Sequence, residues 1–502
     1  MQRLSRGPAM PFMPTTSRDT SMGRLRVRPL TAALAALLVC GAPFVPAAPP
    51  YGTPSTPSPR TALVVVNCND SGSGSLRDAV SHAVDGDTID LTQLSCSVIS
   101  LSTGAIVIGA QDLTLHGPGA DALSINSAGQ PGSDVLYNVV GGTLKVQGLS
   151  ISFGRKYGSS GTVHGGCIFS LGNVELDNTH VYACTTRSDG SNAGAGGGVY
   201  AQGNVKLVNS VVEQAGVTTN GGDAKGGGVF AGGALTLAYS TITYCRVATV
   251  GNGQGGGAYV GGSLLAKYST ISDNLVDEVT LSSGGGLHTN ADVAILWSTI
   301  SGNHAHVGGG LYLGHGAAGD TAQIVDSTIS GNTAAAAGGA VANLPLSLYS
   351  STIAFNTIPF QSGGIIGYEQ SAGLGLRSSP VRIDSSIIAG NMALGVPDVP
   401  RDVGGELTVT VSGSNDLINY IAQGAPAGTI NADPLLGPLR NNGGPTATHA
   451  LLPGSPAIDA GNNTRSLSTD QRGAGFERVI NSVADIGAYE RDPDSIFNDG
   501  FD

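Results

Sequence analysis

The sequence predicts an all-β chain wound into a parallel β-helix, a β-solenoid of about 30 residues per coil, and three observations carry that prediction. A Ser-Thr-Ile element recurs as STITYC, STISDN, STISGN, STISGN and STIAFN between Ser240 and Asn356. A Gly-rich strand start separates each unit from the next. Of 502 residues 77 are Gly, whereas charged residues make up 12% and aromatics 5%. This composition removes the competing classes: disorder needs high charge and low hydrophobicity, collagen needs a Gly-X-Y period, and helical folds avoid so much Gly.

The N-terminal elements precede the fold. Residues 1–47 read as a signal peptide, with Met22 as a candidate functional start. Arg24, Arg26 and Arg28 lead into an apolar run from Leu30 to Val39, and Val45-Pro46-Ala47 fits a small-residue cleavage site. Cys40 is a poor lipidation site, because Val39 stands where a small residue is required. No other stretch reaches the ~18–20 apolar residues of a membrane span. Residues 1–47 hold six Arg and Asp19, so their removal takes the net charge from −12 to −17. Such a surface repels nucleic acid and anionic lipid. Residues 48–62, rich in Pro, Ser and Thr, form a linker that cannot pack a core.

Residues 63–97 read as an N-terminal cap. Ser75 and Asp78 form an S-x-x-D helix start, and Leu76, Ala79, Val80, Ala83 and Val84 recur at helical spacing. A strand is expected from Thr88 to Leu91. Cys68 and Cys96 flank the unit. A disulfide between them would stabilise the cap by about 3 kcal/mol in an oxidising compartment; two separate thiols are the alternative.

Residues 98–430 form the body. Ile151, Val181, Val212, Ile242, Ile271, Ile300, Ile329, Ile353 and Ile388 align at steps of 24 to 35 residues. Five residues earlier every unit has an apolar residue, from Val146 to Ile383. Three residues later come Gly154, Cys184, Ala215 and Cys245, then Asn274, Asn303, Asn332, Asn356 and Asn391. Between units stand GGCIF, GGGVY, GGGVF, GGGAY, GGGLH, GGGLY and GGAVA, beginning at Gly165, Gly196, Gly226, Gly255, Gly284, Gly308 and Gly338. Each unit yields three short strands. Stacking one coil per unit pairs each strand with its equivalent ~4.8 Å away. The Asn column then forms a ladder that satisfies polar groups which would cost ~1–3 kcal/mol each if left unpaired. In this register Cys184 and Cys245 lie two coils apart, ~10 Å, beyond the ~7 Å a disulfide spans. Pairing of Cys167 with Cys184 stays open.

This pattern resembles the right-handed parallel β-helix of the pectin-lyase-like superfamily. The GGG-aliphatic and S-x-x-x-N units resemble repeats of polymorphic outer-membrane proteins, and NCNDSGSGSLRDAV…GDTIDL resembles the CSLREA-type opening of bacterial surface proteins. The block from Asp433 to Glu490, DPLLGPLRNNGGPTATHALLPGSPAIDAGN…DQRG…DIGAYE, is similar to the end of the choice-of-anchor Q family. The first coils depart from the Asn pattern. The resemblance implies a C-terminal cap at 431–490 followed by an acidic tail at 491–502, and RDPDSIFNDGFD resembles endings of other exported bacterial proteins.

A fold of this kind hosts polysaccharide lyases and hydrolases, but an activity rests on a site and not on the fold. A hydrolase needs two carboxylates about 5 to 10 Å apart. Gly314-His315-Gly316 lacks the adjacent Asp pair and downstream R-x-K of galacturonan hydrolases, and His315 reads as a turn residue. Asp273, Asp277, Glu278, Asp292, Asp320 and Asp326 occupy different repeat positions, as solvated turn residues do. His288, His304, His306 and His315 are near enough for a metal site, but read as exposed loop histidines. Tyr239, Tyr268 and Trp297 form a column before each Ser. It is a candidate sugar platform or an outward protective stack. Arg472, paired with Asp485 or Glu490, is expected to tie down a cover over the open last coil.

The resulting expectation is an exported, secreted or surface-displayed bacterial β-solenoid, monomeric and adhesin-like, without catalytic residues, metal or cofactor. Carbohydrate or a host or neighbouring cell surface is the expected partner. A polysaccharide lyase or glycoside hydrolase, and a passive surface spacer, are the alternatives.

Overall fold

The computed structural model describes residues 62–128, 132–277, 282–359, 371–377, 379–395 and 398–493. The expected signal peptide, nearly all of the expected linker and the IFNDGFD run lie outside the described residues. The cap begins with helix Leu76–His82. Ser75 Oγ accepts from the Asp78 amide at 3.2 Å, while Asp78 accepts from the Gly74 amide at 2.8 Å, which satisfies donors that a helix start leaves free. Leu76 and Val80 are buried. Val84 is 65% exposed, because the helix ends at His82 and its periodicity no longer places residues beyond it. Arg77 ties the cap to the first coil, donating to the Gly104 and Ala105 carbonyls and pairing with Asp70 at 2.8 Å. A disulfide joins Cys68 to Cys96.

The body is a right-handed parallel β-helix with three main sheets. Sheet A has 13 strands, from Ala62–Val64 to Val411–Ser414; sheet B has 12, from Val98–Ser100 to Leu417–Ile418; sheet C has 11, from Ile106–Ile108 to Val403–Gly405. The Ile column is in register throughout sheet B, from Ile125 paired with Ile151 to Ile388 paired with Ile418. Sheet A keeps the second apolar column, Val146 to Ile383, in register too. Period-2 alternation sends these residues into one continuous core.

The three strands expected per unit are joined by more. Residues between the Asn column and the Gly triplet form an arm, with a 10-stranded sheet that starts at Arg155–Gly158 and a 4-stranded sheet from Val163–His164 to Gly253–Gln254. The arm has its own narrow core of Val217, Ala224, Val247, Val276 and Ala305. The chain returns from arm to sheet C through the Gly triplet. Gly226 has φ +63°, and a Cβ on Gly227 would collide with the Gly256 carbonyl of the next coil, so neither position tolerates a side chain without strain.

Two polar ladders run along the stack. Asn274, Asn303, Asn332 and Asn356 each donate Nδ2 to the next Asn Oδ1 at 2.8–2.9 Å, and that oxygen also receives the preceding Asn amide. Asn391 ends the row by donating to Asp402. The Ser of Ser-Thr-Ile forms the second ladder: each Oγ accepts the amide of the preceding unit, from Ser240 to Ser386, and Ser386 donates its amide to Asp416. Cys167 and Cys184 are bonded within one coil, and Cys245 is a buried free thiol.

The C-terminal cap differs from expectation. Ile421, Ala427 and Ile430 bridge to Val403, Ser414 and Leu417, so residues just before the block close the last coil. The block itself, with hairpin strands Leu436–Arg440 and Thr448–Leu451, lies along the outer face of sheet B. The face supplies the reason. Its outward hydroxyls bond the block one coil after another: Thr299 to the Ala447 carbonyl at 2.6 Å, Thr328 to Gln471 at 2.6 Å, Ser330 to His449 at 2.8 Å and Thr352 to the Ala488 amide at 3.1 Å.

Candidate functional site

Tyr239, Tyr268 and Trp297 sit at the corner between sheets A and B, with φ of 49–51°. Their rings stack at 5.0 and 5.2 Å between centroids, with planes 15° and 18° apart. Rings stacked in this way cover one another's faces and leave their edges outward. Lys267 lies over both Tyr268 and Trp297, and the Trp297 carbonyl accepts from Thr446 of the C-terminal block. The column covers the corner of three coils, and Tyr239 at its end is 53% exposed.

The clasp is built around a different arginine. Arg472 pairs with Asp470 at 2.7 Å and reaches Glu490 only at its main-chain oxygen, at 2.6 Å. Its guanidinium is sandwiched between Phe476 and Tyr489, 4.0 and 3.8 Å from the ring centroids. Asp470 is two residues away and takes the fork locally, so Asp485 and the Glu490 carboxylate are not its partners. Arg478, which the motif reading passed over, is wholly buried and pairs with Glu490 at 3.2 Å and Asp326 at 3.5 Å. The Asp485 carboxylate instead accepts the amides of Asp459 and Arg491. Burial pushes Asp326 well above the carboxylate range and Glu490 up to about 7, against the pull of Arg478. These groups fasten the block to the solenoid.

The histidines are not brought together. His288 is 2% exposed on the outer face of sheet C, His304 and His306 lie on arm strand His304–Val307, and His315 follows in an exposed loop. The exposed-loop reading fails for the first three, because the strand pattern continues through them. His449 donates Nδ1–H to the Gly437 carbonyl at 2.7 Å and accepts from Ser330 Oγ at 2.8 Å. A Ser–His pair begins an acyl-transfer constellation. Here the two residues are 2% and 3% exposed, and their bond is one of the row that holds the hairpin. It is a fastening.

The most extended special feature is a column missed in the sequence. Tyr137, Phe169, Tyr200, Phe230, Tyr259, His288 and Tyr312 occupy successive strands of sheet C, in register. Their centroids are 4.7–5.4 Å apart and their planes within 22°. The signal was present: each ring from Phe169 to Tyr312 is the last residue of a Gly-rich motif, one step past the inward aliphatic, so period 2 sends it outward. The column lies in the angle between sheet C and the arm. His164 packs on Tyr200 at 4.2 Å, Lys225 lies over Tyr259 at 4.8 Å, and the Gln254 amide donates to His288 Nε2 at 3.3 Å. At the first ring Lys156 lies over Tyr137 and pairs with Asp134 at 2.9 Å. Burial drives His164 down to about 4 and His288 to about 3, and raises Asp134 to about 7 despite Lys156. Both imidazoles are neutral at physiological pH. The face thus offers tyrosine hydroxyls, the edges of its partly exposed rings and the Lys225 ammonium, with Phe169 and His288 buried beneath it.

The fold defines a right-handed parallel β-helix with one coil per repeat. Among solved structures the chain is similar to the pectate lyase Pel9A, at 11% identity and a TM-score of 0.38, over 86% of this chain and 98% of that one. No protein-family model and no curated protein matches the chain. No helix among the described residues is long and apolar enough to cross a membrane.

Proposed function

We propose that the protein is an exported, secreted or surface-displayed β-solenoid that binds glycan along sheet C without cleaving it, an adhesin-like role. The observation that carries this reading is the seven-ring column in the angle between sheet C and the arm, with its row of hydroxyl and ammonium groups. Amphipathic ring edges and polar tips are what sugar rings with mixed C–H and O–H surfaces require. The leader composition supports export, and the terminal blocks' resemblance to choice-of-anchor Q and CSLREA-type proteins supports display on a bacterial surface. A monomer suits a stack whose ends are both covered by its own chain. The test is a screen of neutral and uronate glycans read twice, for binding and for release of new chain ends. Binding without cleavage is expected. Cleavage replaces the reading with a carbohydrate-active enzyme, and neither signal replaces it with a passive spacer.

A further inference from the structure

The ring column alternates, and the alternation sets a length. Tyr137, Tyr200, Tyr259 and Tyr312 fall on every second coil, with Phe169, Phe230 and His288 between them. Two strand spacings make a repeat of ~10 Å. The hydroxyls of Tyr137, Tyr200 and Tyr259 have no hydrogen-bond partner among the described residues and are not among the buried polar atoms. Partial burial raises the Tyr200 hydroxyl above its ordinary pKa. The column therefore presents water-accessible hydroxyls on a ruler of two coils. The ammonium groups keep the same beat. Lys156 stands at Tyr137 and Lys225 at Tyr259, four coils apart.

The geometry points to a linear β-1,4-linked neutral glycan, lying along the solenoid axis, as the ligand of this groove. Successive sugars of such a chain are flipped by half a turn, so the same edge recurs at every second sugar, at a length matching two coils. Each recurrence meets a Tyr hydroxyl, and the sugar between Tyr200 and Tyr259 meets the partly exposed edge of Phe230, while Phe169 and His288 are buried. A net charge of −12, or −17 without residues 1–47, favours an uncharged polymer over a polyuronate. This inference rests on the glycan reading above and adds the linkage and the register.

The test compares cellohexaose with laminarihexaose and maltohexaose by calorimetry on the intact exported chain. Cellohexaose is expected to bind tightest, with affinity rising in steps of two sugars as the oligomer lengthens. Tyr200→Phe removes one hydroxyl from an isosteric ring and should weaken cellohexaose about fivefold, the worth of a single hydrogen bond. The double change Tyr200→Phe with Phe230→Tyr restores the hydroxyl one coil out of step and should stay equally weak. Recovery of wild-type affinity in the double variant overturns the register. Equal binding of the three hexaoses, or an unaffected Tyr200→Phe, overturns it too. If the wider screen finds a ligand and cellohexaose is not bound, this proposal falls while the glycan reading stands; if no glycan binds at all, both fall.

Discussion

Asp402 offers a sharp test of the polar ladders, because it ends the Asn row with a residue that can ionise. Its Oδ1 accepts the Asn391 amide and side chain at 2.9 and 2.8 Å, while Oδ2 is buried without a partner. Burial raises its pKa from 3.8 to about 6, against the lowering effect of the Asn391 bonds. The native state thus holds this proton more tightly than the unfolded chain does. The stabilising contribution is complete below pH 3.8 and is lost as pH rises through 6. A shift of ~2 units corresponds to about 3 kcal/mol at 1.36 kcal/mol per unit. Asp402→Asn keeps the acceptor oxygen and cannot ionise. Relative to wild type, the variant should therefore gain about 2 kcal/mol between pH 4, where the unfolded carboxyl is already partly protonated, and pH 8. Any constant effect of the added amide cancels in that comparison, as do all other titrating groups. Urea unfolding of both proteins at the two pH values measures it. An equal difference between the two proteins at pH 4 and pH 8 would refute the placement of an ionisable group at the sealed end of the ladder.

Three other outcomes are expected. Arg478→Ala leaves Asp326 and Glu490 buried without their cation, so the clasp should weaken by roughly 3–5 kcal/mol, seen as rapid proteolysis within residues 433–490 while the body resists. Asn332→Ala strips an acceptor from Asn303 and a donor from Asn356; at ~1–3 kcal/mol for each orphaned group, the Asn303 amide should lose most of its hydrogen-exchange protection. Non-reducing peptide mapping should return Cys68–Cys96 and Cys167–Cys184, with Cys245 alkylated only after unfolding, since burial pushes its thiol up to about 12; a Cys184–Cys245 crosslink would break the coil register.

The solenoid was legible because its information is local and repeated. Ile242, Ile271 and Ile300 state the same inward position three times, and period 2 then assigns every neighbour a face. The same rule, applied one residue beyond Val199 or Leu311, would have exposed the ring column at Tyr200 and Tyr312. The clasp was hidden for a physical reason. Arg478 meets Asp326 across 152 residues of sequence, and no periodicity connects them. The choice of Arg472 followed from its motif, whereas the pairing is decided by which carboxylate the chain folds nearest. The arm was partly readable, since Val217, Val247 and Val276 repeat at the coil period, but its short strands lie next to loops whose composition masks the alternation.

The clasp also changes how the stack behaves. In a solenoid each coil contacts only its neighbours, so stability is a sum of local terms and the end can fray coil by coil. Here one segment of chain bonds to Ser298, Thr299, Thr328, Ser330, Thr352 and Ser385 in turn, which lie on four successive coils. Opening any one of them breaks a nearest-neighbour interface and also strains the bonds the clasp makes to the others. The C-terminal coils are thereby joined into a single unit, while the N-terminal coils, with only the Leu76–His82 cap and two disulfides, keep the additive character of a stack. The ring column from Tyr137 to Tyr312 spans both regions. Its last two positions, His288 and Tyr312, belong to coils whose sheet B strands carry the clasp, so at that end the column sits on the joined unit.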